Sequence, residues 1–488
     1  MADRHPNVLV VMTDQQKATS LGLYGNPDVR TPVLERLAER GTVYRHAFSP
    51  HPLCVPSRAS FFTGRWPHST GVRTNEIPLP EREIDWASLL FDRGYVGGLF
   101  GKNHVFRADQ LDRFATVWEA GHGGPVARGG TLVKATPLGP DGMPHGWAAG
   151  QHGRKYSYGT VDRRPEECTT ALVADQAVQF LREHARPGGQ PFLGWVSFPD
   201  PHEPYYTPEP YASMYDPATL TLPPWRAGEL RDKPERQQAY RELFRFAHFP
   251  DEHFRGALAT YYGMIAFIDD QLGRILATLD EQGVRDDTLV IFTSDHGEYM
   301  GEHRLIGKSN AFYDCLTRVP LVVSWPGRLP EGATRDELVS LIDVMPTVLR
   351  LVGVPVPSAV QGQPLPGLTD ADAVPRAAVF AEYGAGGPPA TLADVARVPE
   401  EQRAGAGFPL LREREAQGHG KMVRTHQWKY THDVTGEVDE LYDLDADPWE
   451  LTNLAGKLEF GAIEAEMRLH LLDWMLRTED AQPVPLYF

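Results

Sequence analysis

Cysteine is scarce in this chain of 488 residues, with three copies at positions 54, 168 and 315. An odd number so far apart excludes a disulfide framework, so each thiol needs its own explanation. Long apolar runs are also missing. No stretch approaches the roughly eighteen consecutive apolar residues that cross a bilayer, and the start MADRHPNVLVVMTD has no charged leader or small-residue cleavage site. The expectation is a cytoplasmic protein with no membrane partner. Positive charge is in deficit, 48 Lys and Arg against 65 Asp and Glu, for a net charge of -17. That balance speaks against nucleic acid, whose binding depends on cations neutralising phosphates. A small anionic substrate stays compatible, because a local group of cations overrides the global sign. No internal repeat is evident.

What is present reads as a large α/β protein. Asn7 to Met12 (NVLVVM) is a continuous β-branched run ending at Thr13 and Asp14, the pattern of a strand buried on both faces of a parallel sheet. Thr31 to Gly41 reads as an amphipathic helix with Pro32 in its first turn. The alternation returns with strands at Pro191 to Phe198, Thr288 to Phe292 and Val319 to Trp325, and helices at Leu258 to Gln282 and near Asp343 to Gly353. These elements predict a large central mixed, mainly parallel sheet flanked by helices. A Pro-rich passage between Gly353 and Pro375 suggests a catalytic domain over 1–370 and a smaller α+β subdomain over 371–488. Residues 119–165 and 384–420 are rich in Gly, Pro or Ala and read as lids or binding loops.

The strongest local signal is LCVPSRASFFTGRWP at Leu53 to Pro67. It resembles the signature of the formylglycine-dependent type I sulfatases of the alkaline phosphatase superfamily, with Cys54, Pro56, Ser57 and Arg58 matching the C-x-P-S-R core. The resemblance extends over nearly the whole chain, including RVPLVVSWPG from Arg318 and ELYDLDADPWELTNL near the C-terminus. It implies an alkaline phosphatase-like fold whose smaller domain carries a short antiparallel sheet and a helix. It also implies that a formylglycine-generating enzyme oxidises Cys54 to 3-oxoalanine, whose hydrated aldehyde supplies the nucleophile. A serine or thiol would leave a covalent sulfate ester needing a second attack. A gem-diol carries its own release step: one hydroxyl is sulfated and the other then expels sulfate.

A hydroxyl nucleophile needs activation, which a divalent cation supplies by lowering its pKa. The resemblance places metal ligands at Asp14 and Gln15 after the first strand, at Asp295 and His296 after TLVIF, and at Cys54 itself. Ca²⁺ is the first expectation, and the imidazole among oxygen donors admits Mn²⁺ or Mg²⁺. By the same resemblance Arg58 fixes the nucleophile, Lys102 and Lys308 bind sulfate oxygens, His104 takes the hemiacetal proton and His202 assists the leaving alcohol. Gln15 and His296 depart from the commonest sulfatase pattern of paired aspartates and Asp-Asn. They are similar to the pairs of phosphonate monoester hydrolases, as is Asn75, a further substrate-binding candidate.

Hydrolysis of organic sulfate monoesters is thus the leading reading, with a phosphonate monoester hydrolase or phosphodiesterase as the rival. A silent anion receptor is the third, opposed by the intact nucleophile, metal and lysine sets. His303 in GEH is a weaker candidate. His51, His145 and His152 read as solvent-facing loop residues, His122 goes unassigned, and Cys168 and Cys315 read as small buried residues. Trp147, Tyr156 and Tyr158 either stack on a substrate ring or pack the loops down. The tail PVPLYF offers a contact for a homo-oligomer.

Overall fold

Both faces of the first apolar run find a core. Residues 5–121, 124–128, 156–368, 375–399, 403 and 417–479 are described in the computed structural model. Strand β1 (Asn7–Thr13) is buried at every residue. Val8, Val10 and Met12 point into a core with Val55, Phe62, Trp195 and Leu349, and Leu9 and Val11 into a second core with Leu34, Phe180 and Ile265. A strand filled on both sides cannot alternate apolar with polar, which is why NVLVVM is continuous. Each such side chain contributes about 1.5–3 kcal/mol by leaving water.

The remaining strands are β2 (Thr42–Phe48), β3 (Val96–Gly101), β4 (Thr116–Gly121), β5 (Gly124–Pro125), β6 (Tyr158–Val161), β7 (Phe192–Ser197), β8 (Tyr205–Pro208), β9 (Thr288–Ser294), β10 (Arg318–Val319), β11 (Leu321–Ser324), β12 (Ala333–Ser340), β13 (Val379–Gly387), β14 (Gly418–Arg424), β15 (Trp428–Asp433) and β16 (Glu440–Asp443). Ten of them form the central sheet, in the order β10-β2-β11-β9-β1-β7-β3-β4-β5 with β12 beside β2. The run β9-β1-β7-β3-β4 is parallel, whereas β11 lies antiparallel to both β9 and β2. This is the expected mixed, mainly parallel sheet. The parallel strands deliver their carboxyl ends to one edge, where α/β sheets place ligands.

Helices Pro32–Glu39, Thr169–His184 and Asp251–Glu281 cover one face, and Cys54–Thr63, Trp86–Phe91 and Val344–Leu351 the other. Asp269 of the long helix accepts from the backbone N–H groups of Val33 and Leu34 at 2.9 and 2.8 Å, so one helix caps another. The predicted strand Val319–Trp325 is divided into β10 and β11 at Pro320, which has no N–H for the ladder.

A second, antiparallel sheet in the order β13-β14-β15-β16 lies toward the C-terminus. Helix Gly461–Thr478 packs on it through Met467, Leu471 and Trp474, which meet Val423, Tyr430 and Leu441. Trp474 stacks on Phe380 with ring centroids 4.8 Å apart. Among the described residues no helix is long and apolar enough to cross a membrane.

Candidate active site

Four strand ends converge on one point. Asp14 and Gln15 leave β1, Lys102 leaves β3, Ser197 ends β7, and Asp295 and His296 leave β9. Gly101 makes the delivery of Lys102 possible: its φ of 98° is left-handed, and a Cβ there would collide with the Ser197 carbonyl. The Lys102 N–H donates to that same carbonyl at 2.8 Å. Against these ends stands Cys54, the first residue of helix Cys54–Thr63.

Donor atoms of Asp14, Cys54, Asp295 and His296 all lie within 4.8 Å of one another, and all four residues are buried. The Cys54 sulfur is 3.2 Å from His296 Nε2 and 3.4 Å from Lys102 Nζ, and it donates to Asp14 Oδ1 at 3.6 Å. Burial, reinforced by the Asp14 charge, pushes the Cys54 thiol up to about 11. An unmodified thiol here is protonated at neutral pH and is a poor nucleophile.

His296 has a defined tautomer. Its Nδ1 lies 2.9 Å from the Gly297 carbonyl, which can only accept, so the proton sits there and Nε2 presents a lone pair toward Asp14 Oδ1 at 3.8 Å and Asp295 Oδ1 at 3.7 Å. Burial lowers its pKa and keeps the ring neutral. Asp295 Oδ1 accepts from the backbone N–H groups of Gln15 at 3.0 Å and His296 at 2.9 Å, and Oδ2 accepts from Arg58 Nε at 2.8 Å. Burial opposes ionisation of Asp14, but Lys102, His202, Arg58 and Lys308 outweigh it and hold the carboxyl well below its usual range. Two carboxylates and a neutral imidazole with an outward lone pair are a donor set that fits a divalent cation.

Arg58 is fully buried and binds these parts together. Its Nη1 donates to Ser197 Oγ at 2.7 Å and to the Lys102 carbonyl at 2.9 Å, and Nη2 lies 3.6 Å from Asp14. Lys102 pairs directly with Asp14. Lys308 donates to Gln15 Oε1. Burial works against the Lys308 charge, but Cys54, Glu203, Asp14 and Asp295 outweigh it and raise its pKa. Asn75 accepts from the Val55 N–H at 3.0 Å, meeting one of the unpaired donors of the cysteine helix's first turn.

The histidines differ. His202, half-buried, holds Nδ1 2.6 Å from the Glu203 carbonyl and acts electrostatically on Asp14. His104 lies two residues past Lys102, half-buried with a φ of 53°. His303 stands apart from the cluster: it is buried between Glu229 at 3.4 Å and Tyr313, on which it stacks at 3.9 Å. His51 is not solvent-facing but fully buried, accepting from the Leu53 N–H at 3.1 Å, because the chain must fold inward to bring Cys54 to the strand ends. Tyr156 is buried, with its hydroxyl 2.7 Å from that of Tyr240, and Tyr158 packs under Gly256 and beside His253, so both hold the loop down. Cys315 is buried as expected, whereas Cys168 is half-buried at the start of helix Thr169–His184. His122, His145, Trp147, His152 and the PVPLYF tail lie outside the described residues.

Two carboxylates escaped the sequence reading. The Gln15 amide donates to Glu203 Oε2 at 2.6 Å and to Glu298 Oε2, and Glu298 also accepts from Tyr205 Oη at 2.9 Å and the Met300 N–H at 3.0 Å. Burial and the neighbouring Glu203 raise Glu298 to about 7. Glu203 directly follows His202 and Glu298 lies two residues past His296, and that adjacency to candidate residues is the one hint the sequence holds.

A sulfatase family model matches residues 6–354 of the chain. The chain is 30% identical to an uncharacterized sulfatase, YidJ, of Escherichia coli (strain K12), covering 98% of this chain and 88% of that protein. It is 28% identical to an arylsulfatase of Clostridium perfringens, covering 93% and 91% respectively. Among solved structures it is similar to the phosphonate monoester hydrolase SpPMH from Silicibacter pomeroyi, with a TM-score of 0.78, 26% identity, and coverage of 97% of this chain and 96% of that one.

Proposed function

Because the chain belongs to the sulfatase family, and is by that membership a sulfuric ester hydrolase, we propose that it cleaves organic sulfate monoesters through a formylglycine made from Cys54, assisted by one divalent cation. The observation that carries this reading is the place of the Cys54 sulfur, buried among Asp14, Lys102 and His296 where its thiol is raised to about 11. Such a thiol gains a use once replaced by an aldehyde hydrate, which offers one hydroxyl for attack on sulfur and a second for release of sulfate.

Asp14, Asp295, His296 and the side-chain amide oxygen of Gln15 would hold the cation. When bound, it lowers the pKa of a neighbouring hydroxyl and offsets charge on the sulfate; Ca²⁺ or Mn²⁺ suits this mixture of donors. Arg58 holds Asp14 and Asp295 in position through its guanidinium. Lys102 and Lys308 place two ammonium groups where sulfate oxygens gain charge in the transition state. His104 removes a proton from the sulfated hydrate, and His202, oriented through Glu203, protonates the departing alcohol. Maturation requires a formylglycine-generating enzyme as partner.

A second reading, phosphonate monoester hydrolysis by the same nucleophile, is favoured by Gln15 and His296 in the ligand set and by the solved relative of that activity. Sulfate and phosphonate monoesters of the same phenol, 4-nitrophenol, decide between them. The sulfatase reading expects the higher kcat/KM on the sulfate, and a higher value on the phosphonate would transfer the assignment.

A further inference from the structure

Most buried cations near the second sheet are neutralised by carboxylates. Lys421 pairs with Glu382, which also takes His68 at 2.8 Å; Lys429 pairs with Asp314 and Glu450 at 2.5 and 2.7 Å; Arg236 pairs with Asp433 at 3.2 Å. Arg73 differs. The residue is half-buried, its described hydrogen bond runs from Nη1 to His419 Nε2 at 2.8 Å, and among the described residues no carboxylate lies in ion-pairing range. A guanidinium that meets an imidazole instead of a carboxylate keeps its charge uncompensated, and an incoming anion supplies the missing partner.

Its position is at the edge of the active site. Arg73 is two residues before Asn75, whose side chain accepts from Val55, the neighbour of Cys54. His419 and Lys421 lie on β14, paired to β13, where the Glu382 N–H donates to Pro50 in the loop leading to Cys54. The buried ring of His51 feels Glu382, His296, Lys421 and Arg73 together, which sets Arg73 within electrostatic range of a residue that also senses the metal-ligand histidine. Lys421 and Glu382 cancel, so the local surplus is the Arg73 charge. His419 accepts from Arg73 at Nε2, which assigns its own proton to Nδ1 and makes that nitrogen a second donor.

We propose that Arg73, braced by His419, forms a second anion subsite beside the sulfate-cleaving centre, and that the preferred ester carries a second anionic group, carboxylate or sulfate, on its alcohol. This rests on the sulfatase reading. A planar guanidinium gives either group two parallel N–H donors, and the subsite selects on the alcohol, not on the ester undergoing cleavage.

The test uses the metal-loaded, Cys54-modified enzyme with 3-carboxyphenyl sulfate, its neutral methyl ester, and benzene-1,3-disulfate. The ratio of kcat/KM between an anionic substrate and the neutral ester is compared in wild type, Arg73→Gln and Arg73→Lys, so that leaving-group differences cancel. The subsite predicts a ratio that falls about tenfold or more in Arg73→Gln, mainly through KM, is partly kept in Arg73→Lys, and leaves the neutral ester within about twofold. The carboxylate and disulfate arms show which anion it takes. An equal loss on all substrates, or no change in either ratio, overturns it. Calorimetric binding of 3-hydroxybenzoate, the desulfated acid, reads the subsite without turnover. Arg73-dependent binding without cleavage of any sulfate sinks the sulfatase reading and supports the subsite, whereas binding equal in wild type and Arg73→Gln overturns it.

Discussion

His296 presents Nε2 to the Cys54 sulfur at 3.2 Å because its other nitrogen is tied to the Gly297 carbonyl at 2.9 Å. The lone pair is therefore fixed on the side of the two aspartates. His296→Ala should weaken binding of Ca²⁺ or Mn²⁺ at least about tenfold, seen as a smaller metal-induced rise in melting temperature. An unchanged metal titration would remove His296 from the ligand set.

Arg58 touches Asp295, Asp14, Ser197 and the Lys102 carbonyl and has no exposed surface. Arg58→Met strands two buried carboxylates and should cost about 3–5 kcal/mol in denaturant unfolding. Arg58→Lys keeps charge but loses the fork, so it should fold better than Arg58→Met and still lose most of its kcat/KM. Equal stability of Arg58→Met and wild type would show that the charges are not coupled.

Gln15 donates to both Glu203 and Glu298, so a carboxylate at position 15 would meet two others. Gln15→Glu should lower kcat/KM at least about tenfold and reduce stability through like-charge repulsion. Adding Glu298→Gln returns one donor and one acceptor to the contact, and the double variant should exceed Gln15→Glu in both measurements. Additive losses would mean that the amide is not held by this pair.

The cysteine helix and the strand ends were legible because their chemistry is local: CVPSR is a contiguous motif, and Asp14 and Asp295 follow apolar runs whose burial on two faces requires a central sheet. β3 escaped notice because VGGLFG carries three glycines, which give no strand pattern: Gly97 and Gly98 leave room for the rings of Phe91, Phe114, Phe100 and Phe180, and Gly101 for the Ser197 carbonyl. β12, ATRDELVS, is polar because half of it lies at the surface. Glu203 and Glu298 were hidden for a different reason. Their importance lies in a contact with Gln15, 188 and 283 residues away, and no local pattern records a partner so distant. His51 misled because loop composition reads as exposure, whereas this loop turns inward to carry Cys54.

Buried His303 gives a pH dependence. Burial, with Lys233 nearby, lowers its pKa to about 4, so the folded state resists a proton that the unfolded chain accepts near 6.5. The unfolded state then binds more protons between those values, and stability present above pH 6.5 is lost as pH falls toward 4. His303→Gln should be less stable than wild type at pH 7.5, and the gap should narrow by about 2–3 kcal/mol at pH 4. Parallel stability curves from pH 4 to 7.5 would contradict the lowered pKa.

Everything at this site turns on Cys54 being the precursor of the nucleophile. The direct measurement is the mass of the peptide containing Cys54, taken from protein made with and without a formylglycine-generating enzyme, alongside 4-nitrophenyl sulfate turnover by the same samples. The expected result is a peptide whose thiol has been exchanged for an aldehyde or its hydrate, with turnover proportional to the converted fraction and lost in Cys54→Ala. Full turnover by protein whose Cys54 is entirely unmodified thiol would contradict it.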